Sequence, residues 1–174
     1  MRKLVLKIGL MKEAYATGSP EMELNTIVAA IDLEDDLSDA VLKAAISLAE
    51  RFGAKLHVID AWPPLKDIGF PYARRAEIKT IEKDTEDRAS RREELEARVA
   101  ALEPRAIAMV PVGDAPDAIA TYAKNEAADL IVIGSHQKGL FERFWTGGQS
   151  AETIHQSPCG VFLVTPGLSE RLAT

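Results

Sequence analysis

Five short apolar runs, each of strand length and each followed by a stretch that turns or reads as helix, constrain this chain more than any other feature. They lie at residues 26–31, 55–60, 106–112, 129–133 and 160–164. Between the first two, Ala40, Val41, Ala44, Ala45, Leu48 and Ala49 recur at helical spacing behind Ser38, a helix N-cap residue type, and Gly53 ends that helix. A long charged helix is expected over 75–102, with Ile78, Ile81, Leu95, Val99 and Leu102 as its buried stripe. Its middle, 86–92, reads as a solvated face of acidic and basic residues three or four apart. Pro116 suits the first turn of the next helix, which runs to Asn125 and turns Ile119, Tyr122 and Ala123 inward. A further loop and helix lead to the last strand. Apolar strands alternating with helices imply an α/β three-layer sandwich: a five-stranded parallel sheet with helices on both faces, Rossmann-like in class.

Composition narrows the function. The 174 residues are 47% hydrophobic and carry a net charge of −6, which argues against a nucleic-acid partner, since such binding needs a basic face. No apolar run approaches the roughly 18 residues of a membrane span. A single cysteine, Cys159, cannot form an internal disulfide and reads as a buried, inert thiol. No His/Cys/Asp/Glu set has metal spacing, so no metal is expected. Residues 1–21 read as an N-terminal extension before a domain over 22–174. Lys7, Lys12 and Glu13 interrupt what a secretory signal would keep apolar.

In an open parallel sheet, ligands bind beyond the carboxyl ends of the strands, near the switch in strand order. Those ends are Asp32, Asp60-Ala61, Gly113-Asp114 and Gly134-Ser135. The loop Gly134-Ser135-His136-Gln137-Lys138-Gly139, with Gly147-Gly148 opening the next helix, has the glycines that let backbone approach phosphate. The same glycines can simply make turns, and spacing alone leaves both readings open. His57, within a strand, reads as a core histidine with one nitrogen satisfied. His136 and His155 read as surface residues. Phe141, Phe144 and Trp145 form an aromatic group that packs or covers the site mouth.

Residues 25–166 resemble the universal stress protein family. The resemblance rests on the first strand ending in Asp32, on Leu56-His57-Val58-Ile59-Asp60, on Val112-Gly113-Asp114-Ala115-Pro116, on Asp129-Leu130-Ile131-Val132-Ile133-Gly134-Ser135-His136, and on Ser157-Pro158-Cys159-Gly160-Val161. These occur in the family's order at plausible spacings. The resemblance implies a cytoplasmic stress-response protein that acts by binding rather than dedicated catalysis. It also implies a homodimer joined through the last strand (Val161, Phe162, Leu163 and Val164), with further protein partners of unknown identity.

The resemblance divides on ATP. The family's ATP-binding members carry G-x2-G-x9-G-(S/T). Here Gly134 matches the first glycine and Gly147 the third, while Gln137 replaces the second and Gly148 the hydroxyl residue. Gln137 puts a side chain where backbone lies close to phosphate, and Gly148 loses a hydroxyl while keeping its N–H. The Gly-Ser-His-Gln run is similar to the group that lacks ATP binding. No cofactor is therefore assigned outright, and ATP or another adenine nucleotide stays open, with an ATP-dependent switch of slow hydrolysis as the alternative. If a nucleotide binds, the resemblance places Asp32 and the backbone of Ala30 and Ile31 along the adenosine, Val58 in the base pocket, and Gly134, Gln137, Gly147, Gly148 and Gln149 facing the phosphates. A related ATP pyrophosphatase is disfavoured, because Glu34, Asp35 and Asp36 stand where that class needs a glycine-rich phosphate loop.

Overall fold

The computed structural model describes residues 22–65, 74–134 and 157–172. The strands are β1 (Thr26–Ala30), β2 (Lys55–Ile59), β3 (Ile107–Met109), β4 (Leu130–Gly134) and β5 (Gly160–Val164). The described helices are α1 (Ser38–Phe52), α2 (Arg74–Leu102), α3 (Ala115–Asn125) and α4 (Pro166–Leu172). The sheet is wholly parallel with the order β3-β2-β1-β4-β5. The five-stranded α/β sandwich expected from the sequence is therefore present, with β1 at its centre.

Alternation along each strand sorts side chains between two faces. Ile27, Ala29, Leu56, Val58, Val132 and Val164 join the core under α1, which contributes Val41, Leu42, Ala44, Ala45 and Ala49. Val28, Ala30, Ile59 and Ile131 face the other way, with Ala123, Ile119 and Tyr122 of α3. Gly53 closes α1 at φ 68°, a left-handed backbone that favours glycine. At the start of β1, Asp129 Oδ2 accepts from the Asn25 and Thr26 amides at 2.6 and 3.0 Å. That carboxylate, just ahead of β4, sets the register of the two central strands.

Three expectations change. Ser38 does not cap α1 from outside. It is the first helical residue, and its hydroxyl donates to the Asp32 carbonyl, while Asp35 Oδ1 accepts the Leu37 amide at 2.7 Å. The third strand is shorter than 106–112, and the chain beyond it meets the other strand again only at the Trp62–Val112 bridge. Finally, Ile81 and Leu102 of α2 are exposed, and of the expected stripe Leu95 and Val99 are buried. The side chain of Ile78 lies outside the described residues.

The polar middle of α2 explains this last change. Asp84, Arg88, Arg91, Leu95 and Arg98 fall at steps of four, three, four and three, one stripe of a helix. Leu95, with Val99 beside it, packs on the core. The charged members hydrogen-bond at and beyond the carboxyl ends of the strands. Trp62 Nε1 donates to Asp84 Oδ1 at 2.9 Å. Arg88 gives two hydrogen bonds to the Val110 carbonyl, at 3.1 and 3.0 Å. Arg98 reaches the Leu33 carbonyl and Asp39. The segment read as a solvated face is exposed at every residue but Arg91, and from it Arg88 and Arg91 reach the carboxyl ends of the sheet.

Candidate functional site

The strand order reverses direction around β1, whose neighbours are β2 on one side and β4 on the other. A switch of this kind opens a crevice at the carboxyl ends of the strands. There the structure has a cleft of about 130 Å³. Ala30, Ile31 and Asp32 line it from β1, Ile133 and Gly134 from β4, and Asp60 and Ala61 from the end of β2. The start of α1 and the first turns of α3 (Ala115, Ile119) complete it. A hollow of about 510 Å³ lies at the opposite end of the sheet, between Gly53, Lys55, Arg105 and Ile107. It is the larger of the two. It sits at the amino ends of the strands, away from the switch point, and of its four charged residues Glu103 and Arg105 pair with each other at 2.9 Å.

Gly134 lies under the start of α1. A Cβ there would touch Leu37 Cβ and Val41 Cγ2, each at 3.4 Å, so a side chain larger than a methyl would press on α1 at the floor of the cleft.

The charged wall of the cleft is organised by one guanidinium. Arg91 donates from Nε to Asp60 Oδ2 at 2.6 Å, from Nη2 to Asp32 Oδ1 at 2.9 Å, and from Nη1 to Glu34 Oε1 at 3.2 Å. The Arg91 side chain is 17% exposed and that of Asp60 6%, whereas Asp32 is 61% exposed. Burial pushes the Asp60 carboxyl above its ordinary range, while Arg91 and the Leu33 amide pull it back. Burial works against the Arg91 charge as well, but Asp60, Asp32 and Glu34 outweigh it and hold the guanidinium charged. Asp32 Oδ1 also accepts the Glu34 amide at 3.0 Å.

Of the residues singled out from the sequence, Ala30, Ile31, Asp32 and Gly134 come together in this cleft. Val58 does not line it. It is fully buried on the α1 face of the sheet, and β2 contributes Asp60 and Ala61 instead. Gln137, Gly147, Gly148 and Gln149 lie outside the described residues, as do Ser135, His136, His155 and the aromatic group Phe141, Phe144 and Trp145. Arg91 was not among the candidates. Its signal was a basic residue on the same helical stripe as Leu95 and Arg98, facing two strand ends that close in Asp.

On the opposite face, His57 is 5% exposed and its Nδ1 lies 3.0 Å from Tyr122 Oη, as a core histidine with one satisfied nitrogen should. Glu126 stands 3.9 Å away. Cys159 is half-buried, and burial raises its thiol. Among the described residues no group of His, Cys, Asp and Glu is arranged to hold a metal ion, and no helix is long and apolar enough to cross a membrane.

Comparison with known proteins agrees with this geometry. Residues 23–165 match the universal stress protein family. A relative from Thermus aquaticus, "Universal stress protein in QAH/OAS sulfhydrylase 3'region", is 33% identical over 140 residues, covering 80% of this chain and 97% of that protein. Among solved structures, universal stress protein UspA from Lactobacillus plantarum superposes with a TM-score of 0.60 at 19% identity, over 83% of this chain and 99% of that one. The universal stress protein from Archaeoglobus fulgidus in complex with dAMP gives a TM-score of 0.51 at 21% identity, over 82% and 98%. At these identities the solved structures establish the shared fold.

Proposed function

This chain belongs to the universal stress protein family, and we propose that within the stress response it acts by binding, with the β1–β4 cleft taking the nucleoside end of an adenine nucleotide. The observation that carries this reading is the convergence of Ala30, Ile31, Asp32 and Gly134 on one cleft at the switch point of the sheet. A structure of the same fold holds dAMP. That comparison supports the reading without supplying the residues.

The charge of the cleft refines the ligand. Asp32, Asp35 and Asp60 line it, Glu34 stands beside Arg91, and Arg91 is already shared among three carboxylates. This wall suits hydroxyl donors and repels phosphate. Gln137 and Gly148 depart from the phosphate motif at two of its positions. We therefore take the ligand to be adenosine or its monophosphate in preference to ATP.

Binding without dedicated catalysis fits the reactive side chains of the described cleft, which are engaged elsewhere. Ser38 Oγ donates to the Asp32 carbonyl, Asp35 accepts the Leu37 amide, and Asp60 is held by Arg91. The same proposal places the protein in the cytoplasm as a homodimer joined through β5. That strand is the last of the sheet order, with Val161 37% exposed. Among the described residues no strand pairs beyond it, and an edge of this kind invites a second chain.

Titration calorimetry of wild type and Asp32→Ala with AMP tests the nucleoside assignment. Wild type is expected to bind and the variant to lose about tenfold in affinity, the worth of a hydrogen bond to a charged group. Equal affinity in both would remove Asp32 from the site. Sedimentation of Val161→Lys tests the dimer, which that charge should dissociate; an unchanged dimer would move the interface elsewhere.

A further inference from the structure

We propose that Arg91 is a positioning residue of the cleft: it fixes the Asp32 carboxylate in one orientation, so that the long helix α2 selects for ligands that carry sugar hydroxyls. The inference rests on the nucleoside reading above. It concerns a residue 59 positions from Asp32 on an element that does not line the cleft.

Asp32 is 61% exposed, and left alone its short side chain would sample several rotamers. Two contacts restrict it: Oδ1 accepts from Arg91 Nη2 at 2.9 Å and from the Glu34 amide at 3.0 Å. The Ser38 hydroxyl donates to the Asp32 backbone carbonyl and anchors the main chain beneath it. Among the described residues Oδ2 carries no hydrogen bond, so one oxygen is committed and the other is free to accept. Arg91 can do this because it is itself held. Its Nε is locked on the buried Asp60, and its stem lies in the helix stripe between Arg88 and Leu95, each fixed by its own contact. The planar guanidinium therefore presents Nη2 to Asp32 from a set direction, which a lysine ammonium on a flexible stem would not reproduce.

A fixed acceptor rewards a ligand hydroxyl that meets it and gives nothing to a ligand without one. Preorganisation of this kind appears as discrimination between ligands more than as stability.

The test compares adenosine with 2′,3′-dideoxyadenosine by calorimetry on wild type, Arg91→Lys and the double variant Arg91→Gln/Asp60→Asn. The double variant keeps a hydrogen-bonding neutral pair and guards against misfolding of the single one. Circular dichroism and melting establish that each is folded. Wild type is expected to prefer adenosine by about tenfold. In whichever variant is folded, that preference should fall to about twofold, adenosine losing more affinity than dideoxyadenosine does. A purely structural Arg91 would weaken both ligands alike. A full adenosine preference in a folded variant would overturn the proposal while leaving the nucleoside reading intact. Failure of wild type to bind adenosine at all would overturn both.

Discussion

Arg91 Nε donates to Asp60 Oδ2 at 2.6 Å, joining the middle of α2 to the carboxyl end of β2 across 31 residues of chain. Both groups are withdrawn from water, so neither is indifferent to loss of the other. Removing one partner of such a pair leaves a charge buried without compensation, at a cost of about 3–5 kcal/mol. Arg91→Met is therefore expected to lower unfolding stability by about that amount in urea denaturation. Adding Asp60→Asn should restore at least about half. Glu34, 85% exposed at the outer end of the same guanidinium, should matter little: Glu34→Gln is expected within about 0.5 kcal/mol of wild type. Additive losses in the Arg91 and Asp60 double-mutant cycle would contradict the coupling.

The stripe on α2 makes a separate claim about packing. Leu95 is fully buried, whereas Ile81 is 53% exposed. Leu95→Ala should cost about 2–5 kcal/mol and Ile81→Ala under about 0.5 kcal/mol in the same denaturation experiment. Comparable losses at both positions would restore the apolar stripe read from spacing alone.

His57 supplies a pH dependence with a definite sign. Burial lowers its pKa from the ordinary 6.5, Glu126 partly offsets this, and Lys55 adds to it. The unfolded chain thus binds the proton more readily than the folded one. The stability from a neutral His57 is fully present above pH 6.5 and is lost as the pH falls from there toward the lowered folded value. The slope of stability against pH below 6.5 should be shallower in His57→Gln, which cannot take up the proton. An identical slope in both proteins would assign the acid sensitivity to other groups.

Gly134 tests the floor of the cleft. A valine there would push against Leu37 and Val41, which already stand 3.4 Å from where a Cβ would lie. Gly134→Val is expected to lower stability by about 1–3 kcal/mol through overpacking and to abolish the thermal shift produced by AMP. A stable variant with an undiminished AMP shift would place the ligand away from β4.

Much of this was legible in the residues and some was not, for physical reasons. The strands were readable because parallel strands covered on both faces are short, nearly continuous apolar runs. Gly53 and Pro116 were readable because each marks a helix end by backbone geometry. Asp32 and Gly134 could be placed near one another because both end strands beside the switch point, and the family resemblance added Ala30 and Ile31. The depth of Val58 was misread, because which of the last residues of β2 reaches the cleft depends on how far that strand extends beyond its neighbours. The place of Arg91 was hidden for a deeper reason. Charged residues in a helix ordinarily face water. Only the tertiary arrangement brings Arg91 to carboxylates 31, 57 and 59 positions away. The solvated reading of 86–92 holds for its other residues, and the alternation of charge did not single out Arg91.

The most direct test of the central claim is titration of the nucleotide-free protein with adenosine, AMP and ATP under one set of salt conditions. An acidic cleft wall whose only guanidinium among the described residues is already shared should accept adenosine and AMP at micromolar concentrations and bind ATP at least about tenfold more weakly than AMP. Tighter binding of ATP than of AMP would contradict the account and favour a nucleotide-dependent switch, and no binding of any of the three at millimolar concentration would refute the cleft as a nucleoside site.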